Sequence, residues 1–171
     1  MVNTWLYSDP HFYQHSIVKF TNFDGTKVRP WDDADIMSEQ LITWYNELVQ
    51  PEDRVYILGD VAFTRTALNK SVPRLKGRKV LVKGNHDQDK LSYYSQYFDD
   101  VRAYVVKKGF VLSHIPIHPA SLERWGLNIH GHLHSNVVKL PDGQVDQRYR
   151  NVCVEQTNWR PVLLSKVLDI A

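Results

Sequence analysis

Asp9-x-His11, Gly59-Asp60, Gly84-Asn85-His86-Asp87, His114 and Gly131-His132-x-His134 follow one another along the chain as five short islands, each beside a strand-like stretch. Carboxylate, amide and imidazole donors of this kind bind divalent cations, and there are enough of them for two ions and for hydrolysis by a metal-activated water. Such donors suit Mn, Fe, Ni or Zn. A thiolate site would need several cysteines, and Cys153 is the only one. Each island alone has a plainer reading. Gly59-Asp60 and Gly84-Asn85 are ordinary turn chemistry, and a lone histidine such as His114 is usually a hydrogen-bonded core or surface residue. Their ordered succession is what makes them candidate ligands. His15, His118 and His130 match no ligand position: His130 reads as a strand-end neighbour, and His15 and His118 as residues that touch substrate or merely line the rim. Pro116 makes a helical pairing of His114 with His118 unfavourable.

These islands can act together only if the fold gathers them. Val2 to Tyr7 is a β-rich run stopped by Pro10, and Arg54 to Leu58 and Lys79 to Val82 read as the next two strands. From Ala34 to Val49, Met37, Leu41, Trp44 and Leu48 form an apolar stripe, with Asp32 or Asp33 as N-cap and Pro51 beyond the end. Thr66 to Leu75 carries Leu68, Val72 and Leu75 on one face, and a short helical stretch falls near Lys90 to Tyr97. Three βα units thus set three islands at strand ends, where ligands collect in open α/β sheets. The second half is richer in strand. Val101 to Val106 and Phe110 to Leu112 predict a hairpin about Lys107-Lys108-Gly109, and Leu127 to Ile129 runs into the last island. Val137 to Leu140 and a partner after Gln144 flank the turn signal Pro141-Asp142-Gly143, and Asn151 to Val154 is the final strand before a tail from Trp159 to Ile170. The expected fold is α/β (α+β), a two-layered β-sandwich flanked by helices.

At 171 residues with 43% hydrophobic composition the chain buries one core, so residues 1–171 are expected to form a single domain. A formal net charge of +2 leaves anion binding to local charge placement. One cysteine excludes an internal disulfide, and the sequence has no apolar run long enough for a membrane span and no signal-peptide pattern; a cytoplasmic location is expected. No membrane contact and no obligate protein partner are expected.

The five islands, in this order, resemble the calcineurin-like metallophosphoesterases, whose pattern is D-x-H, GD, GNH[DE], H and GH-x-H. The resemblance spans Ser8 to His134. Arg29-Pro30-Trp31 and Asp53 to Asp60 are similar to a small bacterial and bacteriophage branch of that family. Position by position, it implies that Asp9, His11, Asp60 and His134 hold one metal and that Asp60, Asn85, His114 and His132 hold the other. Asp60 would bridge them, since only a carboxylate can hold two cations about 3.5 to 4 Å apart with its two oxygens. Two carboxylates against two divalent ions leave a surplus near +2, to which a phosphate ester is the natural counter-ion. A water between the ions would be acidified from about 15.7 towards 7, giving a hydroxide nucleophile. His86 resembles the family's catalytic histidine, and Asp87 beside it is expected to orient its ring. Pro10 departs from the usual middle residue of the first island, and no cap insertion follows His134, so an open site is expected.

Between Val61 and His86 stand Arg65, Lys70, Arg74, Lys76, Arg78, Lys79 and Lys83 with no acidic residue. They form either a solvated face or an electropositive rim for a polyanion. Tyr13, Trp31, Trp125 and Trp159 fall outside the clearest core stripes and invite base stacking, although most are expected to pack in the core. The expectation is a two-metal, Mn-type phosphoesterase acting on phosphodiesters: a nucleotide, cyclic nucleotide or nucleic-acid terminus. A phosphomonoesterase is the rival within the same chemistry, and a non-catalytic protein-binding scaffold the rival outside it.

Overall fold

The computed structural model describes residues 2–22 and 24–169; Ile170, the end of the expected tail, lies outside them. Strand β1 (Thr4–Tyr7) is followed by a long loop and by helix α1 (Ala34–Leu48). Asp33 caps that helix, its carboxylate accepting from the amides of Asp35 and Ile36, and satisfies donors the first turn leaves free. Strand β2 (Arg54–Ile57), helix α2 (Arg65–Ser71) and strand β3 (Arg78–Val82) complete the first half, with Thr64 capping α2 and a 3₁₀ turn at Val72–Arg74 extending it. Short helix α3 (Leu91–Tyr94) leads to β4 (Asp100–Arg102), then β5 (Tyr104–Lys107) and β6 (Phe110–Ser113). Helix α4 (Pro119–Trp125), strands β7 (Leu127–His130), β8 (Tyr149–Asn151) and β9 (Val162–Leu163), and helix α5 (Leu164–Leu168) follow.

Two sheets form, ordered β4-β3-β2-β1-β9 and β5-β6-β7-β8. In the first, β1 to β4 are parallel and β9 pairs antiparallel with β1. In the second, β5–β6 is an antiparallel hairpin while β6, β7 and β8 run parallel. Strand alternation divides the core into two layers. Trp5, Tyr7, Val55 and Ile57 pack with Met37, Leu41 and Tyr45 of α1, whereas Leu6, Tyr56, Leu58 and Val82 meet Phe110, Leu112 and Ile129 of the second sheet. Full burial of side chains such as Leu6, Leu112 and Ile129 stabilises by roughly 1.5–3 kcal/mol each, so a one-residue slip of β1 would be heavily disfavoured. The architecture is the anticipated two-layered β-sandwich flanked by helices.

Three local expectations differ. The run Val101 to Val106 is not one strand: it breaks at Ala103, β4 staying with β3 and β5 crossing to pair with β6. The hairpin expected about Pro141-Asp142-Gly143 shrinks to a single bridge between Lys139 and Val145. The strand expected at Asn151 to Val154 lies earlier, at Tyr149–Asn151, with Cys153 making only an isolated bridge to Ser8, and the last strand is β9, inside the stretch expected to be a tail. No helix among the described residues is long and apolar enough to cross a membrane.

Asp53, only 1% exposed, ties the start of β1 to the approach to β2. Its carboxylate accepts from the Asn3 amide (2.8 Å), the Trp5 indole N–H (2.9 Å) and the Gln50 amide (3.0 Å). Burial works against its charge, but these donors prevail and hold its pKa below the usual carboxylate value. The stabilisation is therefore present above the unfolded-state pKa and disappears as pH falls through the lower folded-state value. Asp53→Ala is expected to cost about 2–3 kcal/mol in urea unfolding at neutral pH. The gap to the parent chain should narrow under acid conditions.

Candidate metal centre

All five islands follow the carboxyl ends of strands with parallel neighbours: Asp9 after β1, Asp60 after β2, Gly84 to Asp87 after β3, His114 after β6, and His132 and His134 after β7. The turns off these ends are unusual. Asp9, His11, Asp60, His132 and His134 all have positive φ, between 50° and 68°, a conformation that costs a side-chain-bearing residue about 1 kcal/mol or more. Only Tyr13, Asn158 and Trp159 share it among the other described non-glycine residues. The loops also touch. A Cβ on Gly84 would overlap the Asp60 carboxylate and amide, and one on Gly131 would overlap the Ser8 and Asp9 side chains, so the glycines before Asn85 and His132 are required by the close approach of neighbouring loops.

Donor atoms converge in two groups, Asp9–His11–His134 and Asp60–His114–His132, within each of which the candidate ligand atoms lie within 4.8 Å of one another. In the first, Asp9 Oδ2 accepts from the Ser8 hydroxyl (2.5 Å), the His132 amide (2.9 Å) and the Cys153 thiol (3.2 Å). Its Oδ1 is buried without a hydrogen-bond partner and faces His11 Nε2, likewise unpartnered, at 3.8 Å. Burial disfavours charge on Asp9, yet the His11 and His114 imidazoles and the Ser8 hydroxyl hold its pKa well below the usual carboxylate range. Burial depresses His11, keeping it in the neutral form that can act as a ligand.

In the second group the proton on His114 can be located. Nδ1 lies 2.7 Å from the Leu58 carbonyl, an acceptor only, and must be the donor. Nε2 then faces Asn85 Oδ1 at 2.8 Å and Asp60 Oδ2 at 3.5 Å, two acceptors that call for a proton or a cation at this nitrogen. Burial opposes charge on His114, but the Asp60 contact and the Asp9 and Asp60 carboxylates push its pKa up to about 9. The same negative field favours a divalent ion. Asp60, a member of the second group, also reaches toward the first. Its Oδ1 accepts the His86 amide at 2.9 Å, while Oδ2 is 3.8 Å from His11 Nε2 and 3.5 Å from His114 Nε2. Unpartnered buried donors and facing lone pairs fit two cations, and Asp9, His11, Asp60, Asn85, His114, His132 and His134 are the residues that could hold them.

Around these stands a supporting layer, in which Glu155 and Phe63 carried no motif signal. Glu155, almost fully buried, accepts from His134 Nδ1 at 2.9 Å and so directs His134 Nε2 toward Asp9 and His11. Arg29, fully buried, pairs with Glu155 at 2.7 Å and donates to the carbonyls of Asp9 (2.7 Å) and Pro10 (2.8 Å). One ion pair thus braces the first island and the last. Phe63 stacks on His86 with centroids 4.2 Å apart and lies edge-on to His11. Asp87 differs from its expected role: its oxygens accept the amides of Asp60 (2.9 Å), Val61 (3.1 Å) and Gly84 (2.8 Å) rather than holding the His86 ring. It locks two motif loops together.

The remaining histidines lie elsewhere. His15 is exposed, 3.9 Å from Asp35. His118 caps α4, its Nδ1 accepting from the Ala120 amide at 3.3 Å. His130 ends β7 fully buried, and burial lowers its pKa to about 4. The basic run does not act as one rim. Arg65, Lys70 and Arg74 pair with Asp89, Asp35 and Glu39, and Lys76 and Lys79 bond to backbone carbonyls. Arg78 opens β3 at the end of the strand away from the centre.

Comparison with known proteins agrees with this geometry. The model of the calcineurin-like phosphoesterase family matches residues 2–163. An uncharacterized protein from Methanocaldococcus jannaschii is 30% identical over 174 residues, covering 99% of this chain and 92% of that one. A crystal structure of a protein of unknown function from Aquifex aeolicus superposes with a TM-score of 0.70 at 26% identity, each chain covered completely. The chain belongs to the calcineurin-like phosphoesterase family. With two His/Asp groups able to hold metal, it is a metal-dependent phosphoester hydrolase.

Removing Glu155 should loosen one half of the centre selectively. Glu155→Ala is expected to weaken the affinity of one of two manganese sites about 10- to 100-fold by calorimetry, leaving the other nearly unchanged. Two sites of unaltered affinity would show that Glu155 only supports the fold.

Proposed function

We propose that the chain hydrolyses phosphodiesters, with a nucleotide, cyclic nucleotide or nucleic-acid terminus as substrate and manganese as the activating ion. The observation that carries this reading is that two grooves reach the candidate ligands. One, of about 700 Å³, is bordered by His132 and His134 with Phe20, Val28 and Leu133; the other, of about 520 Å³, is bordered by Asn85 and His114. A diester has two substituents to place beside its phosphorus, whereas a monoester has one. The oxygen and imidazole donor set, with Cys153 buried and bonded to Asp9, suits manganese.

In this reading Asp9, His11, Asp60 and His134 would hold one ion, and Asp60, Asn85, His114 and His132 would hold the other. Two divalent cations, when bound, supply Lewis-acid charge and lower the pKa of a water towards neutrality, making it a nucleophile. Asp9 and Asp60 would cancel only half of that charge, and with Arg29 already paired to Glu155 the ions themselves would supply the attraction for a phosphate anion. His86 is the proton donor to the departing alkoxide or the stabiliser of the transferring oxygens. Its ring is 41% exposed, Nε2 lies 4.0 Å from Asp60 Oδ2, and Phe63 limits its rotation. Asp87 acts indirectly, holding the Asp60 and Gly84 loops at fixed separation.

The division of labour is testable. His86→Asn is expected to lower kcat by about 10²- to 10⁴-fold while metal content stays at two ions, whereas Asp60→Asn should lose metal as well as activity. Equal metal loss in the two variants contradicts it. Diester preference is tested by turnover of bis(4-nitrophenyl) phosphate against 4-nitrophenyl phosphate with manganese present. Faster turnover of the diester is expected; faster turnover of the monoester makes the chain a phosphomonoesterase, and turnover of neither with fewer than one tightly bound ion makes it a scaffold.

A further inference from the structure

We propose that the groove between β5, β6 and α4 is a binding subsite for the nucleobase of one ester substituent, with Trp125 and Tyr104 as its stacking wall and Lys83 on its border. The proposal rests on the phosphodiester reading and assigns the residues that would hold the base. The groove is continuous with the centre, because Asn85 and His114 border both. Val111 lines it from β6, and Tyr104 and Trp125 face each other across 6.3 Å with their rings inclined by 35°. Tyr104 is 56% exposed and Ile115 50% exposed, a large apolar outlay for a surface beside a charged site.

The aromatic residues outside the clear core stripes sort themselves in the fold. Trp31 and Trp159 pack edge-on at 4.9 Å within the helix-side core, and Tyr13 lies beneath Lys70 with its hydroxyl on Glu39. Trp125, the last residue of α4, instead lines the groove. The basic residues sort in the same way. Lys83 has no ion pair among the described residues; its ammonium lies 5.8 Å from the Tyr94 ring centroid, and it borders the groove beside Asn85. An aromatic wall, a lysine on the groove's border and a phosphate-attracting centre at one end together match a nucleoside phosphate: base on the aromatic side chains, anionic backbone toward the centre. A purely aliphatic substituent would use neither the ring faces nor the lysine.

The test compares thymidine 5′-(4-nitrophenyl) phosphate with methyl 4-nitrophenyl phosphate, in manganese, for the parent chain, Trp125→Ala, Tyr104→Ala and Trp125→Phe. Loss of one stacking partner is expected to lower the ratio of kcat/KM for the nucleoside ester over the methyl ester about tenfold or more, mainly through KM, with Trp125→Phe restoring most of it. A ratio unchanged within about twofold in both alanine variants overturns the subsite. If the parent chain hydrolyses neither diester, the phosphodiester reading fails and binding alone decides the subsite. Calorimetry of the manganese-loaded chain would then use a thymidine 5′-phosphonate with carbon in place of the bridging oxygen, against methylphosphonate. Tighter binding of the nucleoside compound, lost in Trp125→Ala, sustains the subsite; equal binding of the two by the parent chain overturns it.

Discussion

Asp60 is the residue on which the two halves of the centre depend. Its Oδ2 lies between His11 of one donor group and His114 of the other, and its Oδ1 is committed to the His86 amide. A carboxylate so placed brings negative charge to a spot already crowded with lone pairs, and in an interior of low polarity that crowding is unfavourable without positive charge nearby. The surrounding fold is consistent with such a need. The β2 loop that carries Asp60 is pinned to the β3 loop by Asp87, and glycine stands at the point of nearest approach between them.

The second support runs between distant parts of the chain. Arg29 and Glu155 are 126 residues apart, yet their buried pair holds the Asp9-Pro10 backbone on one side and the His134 ring on the other. A buried ion pair adds little net stability by itself, and its contribution here is to position. It sets the tautomer of one imidazole and the path of one loop at the same time.

Much of this was legible in the residues, and the rest was hidden for identifiable reasons. Helix α1 announced itself through a four-residue apolar stripe and an aspartate cap, and the islands after β1, β2 and β3 followed from strand runs ended by proline or glycine. The break at Ala103 could not be read, because a run of β-formers looks the same whether it stays in one sheet or crosses to another; only the partners, β3 and β6, decide it. Helix α4 is seven residues long, too short for a repeating stripe, and Pro116 and Pro119 masked its start. The turn at Pro141-Asp142-Gly143 is real, but with Leu140 and Val145 both exposed its arms bury too little to grow into strands. Glu155 gave no local signal at all. Its role appears only when Arg29 and His134 arrive from elsewhere, and Asp87 was assigned to the nearer ring in sequence when backbone amides were closer in space.

The left-handed turns at Asp9, His11, Asp60, His132 and His134 have a consequence for how the centre is occupied. Because the folded chain already holds its donors in these uncommon conformations, little ordering is left for an incoming ion to impose. Folding meets that entropic cost in advance, and affinity then reflects ligand chemistry more than loop closure. In a cradle shaped before its cargo arrives, donor type and fixed geometry, together with the metals on offer, set which ion is favoured.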